Sequence, residues 1–386
     1  GTQWHGRRPI YLHWRPSRPR PTRSRTGTDT RRLRPQDNSI LWCRLHRRGT
    51  RPVDLHLFAL KKLGANIKIK DGYIIAEAKK GLVGTNIKFP SNSVGATENA
   101  LIAAHGAKGK TTLSNCAIEP EIIDLISYLK KLGSKIKILG RKIIVIGKEK
   151  NTKKINHRII FDRIEAGTYL IAGALTGNKI TINKVFPKIL KNEINILKKM
   201  GVFISSSKNS ISVRNSQKLK KINVSTKPYP GFPTDLQAQL MVLMTQANGL
   251  SQIKENIFEN RFMHVPELRR MGAKIKVKNK IAYIFGPSRL TGAEVMATDL
   301  RASVSLVLAG LIADNRTIIN RIYHLDRGYE FLEKKLKNCK AQIKRVWNGN
   351  KKLEAYSKVW RRSKNLVSSS TRCYRKHFRY SKFTKK

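Results

Sequence analysis

Four stretches of this 386-residue chain set small polar residues directly before an apolar run. They are Ser93-Val-Gly-Ala-Thr-Glu-Asn-Ala-Leu101, Asp162-Arg-Ile-Glu-Ala-Gly-Thr-Tyr-Leu170, Thr234-Asp-Leu-Gln-Ala-Gln-Leu240 and Thr298-Asp-Leu-Arg-Ala-Ser-Val304. A Ser, Thr or Asp so placed starts a helix, because its side-chain oxygen accepts from first-turn N–H groups that have no helical partner. Those same N–H groups, with the helix dipole behind them, attract anions. Several such helix starts brought together would suit a phosphorylated substrate. Capping alone is the plainer reading, and the two are compatible. Thiol and metal chemistry have no comparable signal: Cys43, Cys116, Cys339 and Cys373 fall at no metal-binding or redox spacing.

The elements that must position these residues recur. Leu60-Lys-Lys-Leu-Gly64 returns as Leu129-Lys-Lys-Leu-Gly133, Leu197-Lys-Lys-Met-Gly201 and Leu268-Arg-Arg-Met-Gly272, with a worn copy at Leu336-Lys-Asn-Cys-Lys340. The spacings of 69, 68, 71 and 68 residues make this an internal repeat. Each copy reads as a helix closed by a glycine in the left-handed conformation. A hairpin follows, such as Asn66–Lys70 and Tyr73–Ala76 around Asp71-Gly72. Each then gains a second helix, aligned on Ala96, Ala166, Ala238 and Ala302. The apolar faces, Leu240, Met241, Leu243 and Met244 among them, read as core. Arg51-Pro-Val-Asp-Leu-His-Leu57 reads as a charged strand end running into a short helix.

A formal charge of +55 first suggests a polyanionic partner. The head, 1–48, holds thirteen Arg and no Lys, and the tail, 347–386, is also basic, while the lysines between are dispersed. That dispersion favours a solvated surface over a nucleic-acid site. No apolar run is long enough to cross a bilayer, and the head lacks the apolar centre of a secretory signal, so the cytoplasm is the default compartment. The expected division is a head at 1–48 that is disordered or mistranslated, a first domain at 49–160, a second at 161–346 and a basic tail at 347–386.

The repeat and its motifs together resemble the UDP-N-acetylglucosamine enolpyruvyl transferase (1-carboxyvinyltransferase) family. The likeness rests on Arg51-Pro-Val-Asp-Leu-His-Leu57, Ser93-Val-Gly-Ala-Thr-Glu-Asn99, Asp162-Arg-Ile-Glu165 and Phe232-Pro-Thr-Asp-Leu-Gln-Ala-Gln239. It rests equally on Ile257-Phe-Glu-Asn-Arg-Phe-Met-His-Val265, Ala297-Thr-Asp-Leu-Arg-Ala-Ser303 and Tyr323-His-Leu-Asp-Arg-Gly-Tyr-Glu330. The related shikimate-pathway transferases share the repeat, but the Phe-Glu-Asn-Arg-Phe-Met-His-Val segment is not expected in them. The resemblance implies an α/β fold of two inside-out α/β barrels built from units of about 70 residues, with substrate between them. It implies transfer of the enolpyruvyl group of phosphoenolpyruvate to the 3′-hydroxyl of UDP-N-acetylglucosamine with release of phosphate, the first committed step of peptidoglycan synthesis. No metal or cofactor is implied.

By the same resemblance Arg51, Arg261 and Arg327 grip phosphoenolpyruvate, a compact anion that guanidinium groups bind bidentately. Asp235 is the implied base at the 3′-hydroxyl, and Asp299 supports the reaction centre; each is also a natural helix cap. Arg51, Pro52, Val53, Asp54 and Leu55, with Ser93, Val94, Gly95 and Ile257, are implied to contact the nucleotide-sugar. The chain departs from the family just before Arg51. There a Gly-Cys loop supplies the general acid, and this chain has His46 instead, with Cys43 out of context. The first repeat and an upstream Lys-Asn pair have no counterpart. Permitted codons for Arg44–Thr50, read one base later, yield Gly-Cys-Thr-Val-Gly-Ala, so residues 1–48 are expected to be a frame-shifted translation. Without the acid, proton transfer to the methylene carbon is expected to slow by about 10²–10⁴-fold, and the chain to be poorly stable. A binding-only protein for the UDP-sugar and a basic nucleic-acid binder are the rival classes.

Overall fold

The computed structural model describes residues 43–44, 51–70, 73–148, 155–177, 179–214, 218–348, 350–356 and 367–369, with side chains described from Leu55 onward except at Lys70, 347–354, Tyr356 and 367–369. Most of the head (His46 included) and most of the tail lie outside the described residues. The chain divides into two compact units, one ending at His157 and the other beginning at Arg158.

In the first unit, helix α1 (Arg51–Lys62) begins at Arg51 itself. The expected charged strand end is therefore already helical, because the apolar spacing Leu55, Ala59, Leu63 starts here. Ala59 and Leu63 are fully buried, and Leu55 packs against the same core. The hairpin Asn66–Lys70 and Tyr73–Glu77 follows in antiparallel register, with Cys43–Arg44 paired along its free edge. Helix α2 (Val94–His105) and helix α3 (Pro120–Lys131) alternate with a four-stranded sheet. Its order is 86–88, 110–114, 142–146, 135–139, with the first pair parallel and the others antiparallel. Gly95 allows α1 and α2 to approach: a Cβ there would stand 2.8 Å from His56 Cε1.

The second unit repeats this plan around three helices, α4 (Arg163–Thr176), α6 (Gln237–Met244) and α8 (Leu300–Ile312). The shorter α5 (Lys191–Lys199), α7 (Val265–Arg270) and α9 (Leu332–Asn338) carry the Lys/Arg-rich endings. Every residue of α6 is buried, and so is nearly every residue of α4 and α8. A helix apolar on all sides must be enclosed, and these three pack on one another with sheets outside them. The sheet beside α6 runs 223–225, 249–254, 281–286, 274–278, again one parallel pair and two antiparallel. This is the inside-out barrel arrangement. The last hairpin, Gln342–Asn348 with Asn350–Tyr356, continues past residue 346, where the sequence period fades. Its pairing with Arg316–Asn320 completes the final repeat and buries Ile343 and Ala355.

The repeated glycines have the predicted conformation: φ is +97° at Gly64, +103° at Gly133, +88° at Gly201 and +93° at Gly272. In the worn copy Lys340 takes the same role at φ 65° without the freedom of glycine.

Candidate functional site

The four polar helix starts do not behave alike. Ser93 caps α2, accepting from Ala96 N at 3.3 Å. Asp162 caps α4, accepting from Ile164 N at 2.7 Å and Glu165 N at 3.1 Å. Asp299 caps α8, accepting from Arg301 N at 2.7 Å and Ala302 N at 2.9 Å. At α4 and α8 the leading amides are therefore already bonded to carboxylates, and the expectation that converging helix N-termini receive an anion does not hold there. Asp235 is the exception. It lies in a 3₁₀ turn, Thr234–Leu236, ahead of α6, and its side chain makes no cap hydrogen bond.

Instead Asp235 joins two guanidinium groups. Its Oδ1 accepts from Arg261 Nη2, and its Oδ2 accepts from Arg301 Nη2 at 3.0 Å. Burial pushes the Asp235 carboxyl up, but Arg301 and then Arg261 outweigh it and hold the group below its ordinary value. The buried Arg261 Nε has no acceptor among the described residues. Arg301 continues inward to the Tyr329 hydroxyl at 3.4 Å. That hydroxyl also meets Thr168 Oγ1 at 2.9 Å and accepts from Gln239 Nε2 at 3.2 Å. The three central helices are thus tied together directly beneath the carboxylate. A second ion pair, half-buried, is Glu165 Oε1 with Lys335 Nζ at 2.5 Å, which joins α4 to α9.

Two imidazoles connect the remaining candidates. His264 is buried and its Nε2 has no hydrogen-bond partner among the described residues. Burial lowers it to about 4, with Asp299 opposing and Arg261 assisting, so it stays neutral. His324 is lowered by burial, then by Arg321 and Arg327, against Asp299. Asp299 therefore lies within electrostatic reach of both imidazoles. Arg261 acts on the first as well, and Arg327 on the second. Arg327 is exposed at the end of the 3₁₀ stretch Ile322–Arg327.

Ile257 is 40% exposed on the turn leading to Arg261. Ser93, Val94 and Gly95 form the start of α2, where Asn99 Nδ2 lies 2.5 Å from His56 Nδ1. The backbone of Arg51, Pro52, Val53 and Asp54 forms the first turn of α1, and their side chains lie outside the described residues. Sequence reasoning missed Arg301, although it stands inside the quoted Ala297–Ser303 motif, two residues after Asp299. Its signal was a cation one helical step from a cap, which on its own reads as surface.

The chain matches the family model of EPSP synthase (3-phosphoshikimate 1-carboxyvinyltransferase) over residues 46–336. It is 60% identical over 298 residues to the UDP-N-acetylglucosamine 1-carboxyvinyltransferase of Pelagibacter ubique, covering 77% of this chain and 72% of that relative. The chain belongs to the EPSP synthase family, on its UDP-N-acetylglucosamine 1-carboxyvinyltransferase branch. A second member of that branch, from Rickettsia akari, is 51% identical over 298 residues, 77% of this chain and 71% of its own. Among solved structures of the family, the enolpyruvyl transferase NikO from Streptomyces tendae superposes with a TM-score of 0.67 at 26% identity. That match covers 74% of this chain and 70% of NikO. An EPSP synthase from Acinetobacter baumannii, 20% identical with a TM-score of 0.50, shares the fold.

Proposed function

We propose that this member transfers the enolpyruvyl group of phosphoenolpyruvate to the 3′-hydroxyl of UDP-N-acetylglucosamine; the names of its relatives give UDP-N-acetylglucosamine 1-carboxyvinyl transfer for them. The observation that carries the reading is Asp235, held between Arg261 and Arg301 instead of capping its helix. In addition, the 3′-oxygen bonds to C2 of phosphoenolpyruvate, its proton leaves to a base, and a proton adds to the methylene carbon. In elimination the C2–O bond to phosphate breaks and a proton returns from the methyl group.

Asp235 in its resting pairing is a weak base, because two guanidinium groups stabilise its charge. Arg261 still has an N–H donor with no acceptor among the described residues. An arriving phosphate or carboxylate oxygen can therefore draw its guanidinium away from Asp235. Losing that partner raises the proton affinity of Asp235 just as the hydroxyl must be deprotonated. Arg327 adds charge for the same anion, and Asp299 fixes the start of α8 and so the backbone carrying Arg301. Phosphate release is coupled to substrate binding in this scheme. On this reading the reaction belongs to the cytoplasm, at the entry to cell-wall growth and division.

The test is phosphate release with both substrates. Release requires each substrate, and Asp235→Asn lowers it by about 10²–10⁴-fold. With His46 where the family carries its acid, turnover of the chain as written stays below about 1 s⁻¹, under the usual enzyme range. Calorimetric binding of the UDP-sugar with no phosphate release under any condition would replace the transferase reading with the binding-only one.

A further inference from the structure

We infer that Glu255 is a positioning residue for the Asp235–Arg261 pair, acting through a closed ring of contacts; this rests on the transferase reading above. Glu255 directly follows the strand Gly249–Lys254, is 1% exposed, and meets the nucleotide-sugar candidate Ile257 through that residue's backbone amide. Its Oε1 accepts from Ile257 N at 2.8 Å, Phe258 N at 3.1 Å and Thr226 Oγ1 at 2.9 Å. Its Oε2 accepts from Thr234 Oγ1 at 2.9 Å.

A buried carboxylate is costly unless hydrogen-bonded, and here four donors compensate it. What those donors belong to gives the group its role. Thr234 is the residue before Asp235, so one oxygen ties down the turn that presents the carboxylate. Ile257 and Phe258 begin the turn that leads to Arg261, so the other oxygen ties down the segment presenting the guanidinium. Phe258 then closes the ring, because the Arg261 guanidinium lies over its side chain, 4.9 Å from the ring centroid. Passing round, Glu255 holds Thr234, Asp235 follows in the chain, Arg261 pairs with it, and Phe258 returns to Glu255. One buried side chain thereby sets the separation of two groups that come from segments 26 residues apart. Thr226 anchors the hub from behind: its hydroxyl also accepts from Asn256 N at 2.9 Å. The second guanidinium, Arg301, is held by Tyr329 and α8 and lies outside this ring.

The experiment compares the full chain with Glu255→Ala, Glu255→Gln and Thr234→Val by two readouts. The first is hydrogen exchange, resolved by NMR, at the Ile257 and Phe258 amides and the Arg261 and Arg301 guanidinium groups. The second is calorimetric affinity for phosphoenolpyruvate in the presence of UDP-N-acetylglucosamine. Glu255→Ala is expected to raise exchange at Ile257, Phe258 and Arg261 by about tenfold while leaving Arg301 within about twofold, and to weaken phosphoenolpyruvate binding by about tenfold or more. Glu255→Gln keeps the acceptor for both amides and should stay within about threefold of the parent. Thr234→Val cuts one arm alone, so it reports on the ring even if Glu255→Ala does not fold, with a loss of about threefold to fivefold. Equal exchange at Arg261 in parent and variants, or equal acceleration at Arg261 and Arg301, overturns the assignment. Selective acceleration at Arg261 in a chain that takes no phosphoenolpyruvate supports the positioning role and removes the transferase reading.

Discussion

A single residue, Asp235, shows how much a local pattern leaves open. Thr-Asp ahead of an apolar run fits a helix cap, and at Asp299 the same pattern is one. At Asp235 two arginines take the carboxylate first, and the turn tightens to 3₁₀. Acid titration separates this pair from its buried neighbour. Asp235 has a folded value below its ordinary one, so its contribution is complete above about pH 4 and drains away only as pH falls through the lower folded value. His264 is lowered from 6.5 to about 4, so the unfolded chain binds a proton that the fold refuses, and stability falls between those two values. Melting curves should show His264→Gln flattening the pH 6.5–4 segment by something on the order of 3 kcal/mol. Asp235→Asn should flatten only the segment below about pH 4. Burial also lowers His56, His105 and His324, so the difference between variant and parent is the quantity to read.

At the scale of the element, the worn repeat ending offers a direct test of the capping reading. Lys340 sits at φ 65° where the four earlier copies have glycine. An L-residue in the left-handed region costs about 1 kcal/mol or more relative to its ordinary conformation. Lys340→Gly should therefore stabilise the chain by about 0.5–1 kcal/mol in denaturant unfolding, less the entropy that glycine adds to the unfolded state. Gly201→Ala, at φ +88°, should lose a similar amount. A gain at Gly201→Ala would show that these glycines serve something other than backbone conformation. The three central helices follow the opposite logic: α6 is buried on every side, so its placement comes from enclosure and not from an amphipathic stripe.

For the whole molecule the net charge of +55 governs behaviour in solution. Like charges dispersed over a surface repel one another, and salt screens them over about 8–10 Å at physiological strength. Raising sodium chloride from about 0.02 M to 0.3 M should lift the melting midpoint by a few degrees. A falling midpoint would mean that ion pairs such as Arg345 with Asp326 and Glu333 outweigh the repulsion. The two compact units each bury their own apolar cluster, the larger in the second unit and the smaller in the first. That is the behaviour of domains with separate cores.

The sequence by itself determined the repeat, the glycine that closes four of its five recurring helix endings, the polar residue that opens three of the four second helices and the family to which the chain belongs. All of these depend on spacing along the chain or on backbone preferences a few residues wide. Only the tertiary structure decided which aspartate caps and which one bridges. The arginines that claim Asp235 are 26 and 66 residues away in the chain. It alone revealed Arg301 as the second partner, Tyr329 and Gln239 as the support beneath it, and Glu255 as the hub behind it. A buried polar residue is recognisable only by the donors that the fold brings to it, and no local pattern carries that information.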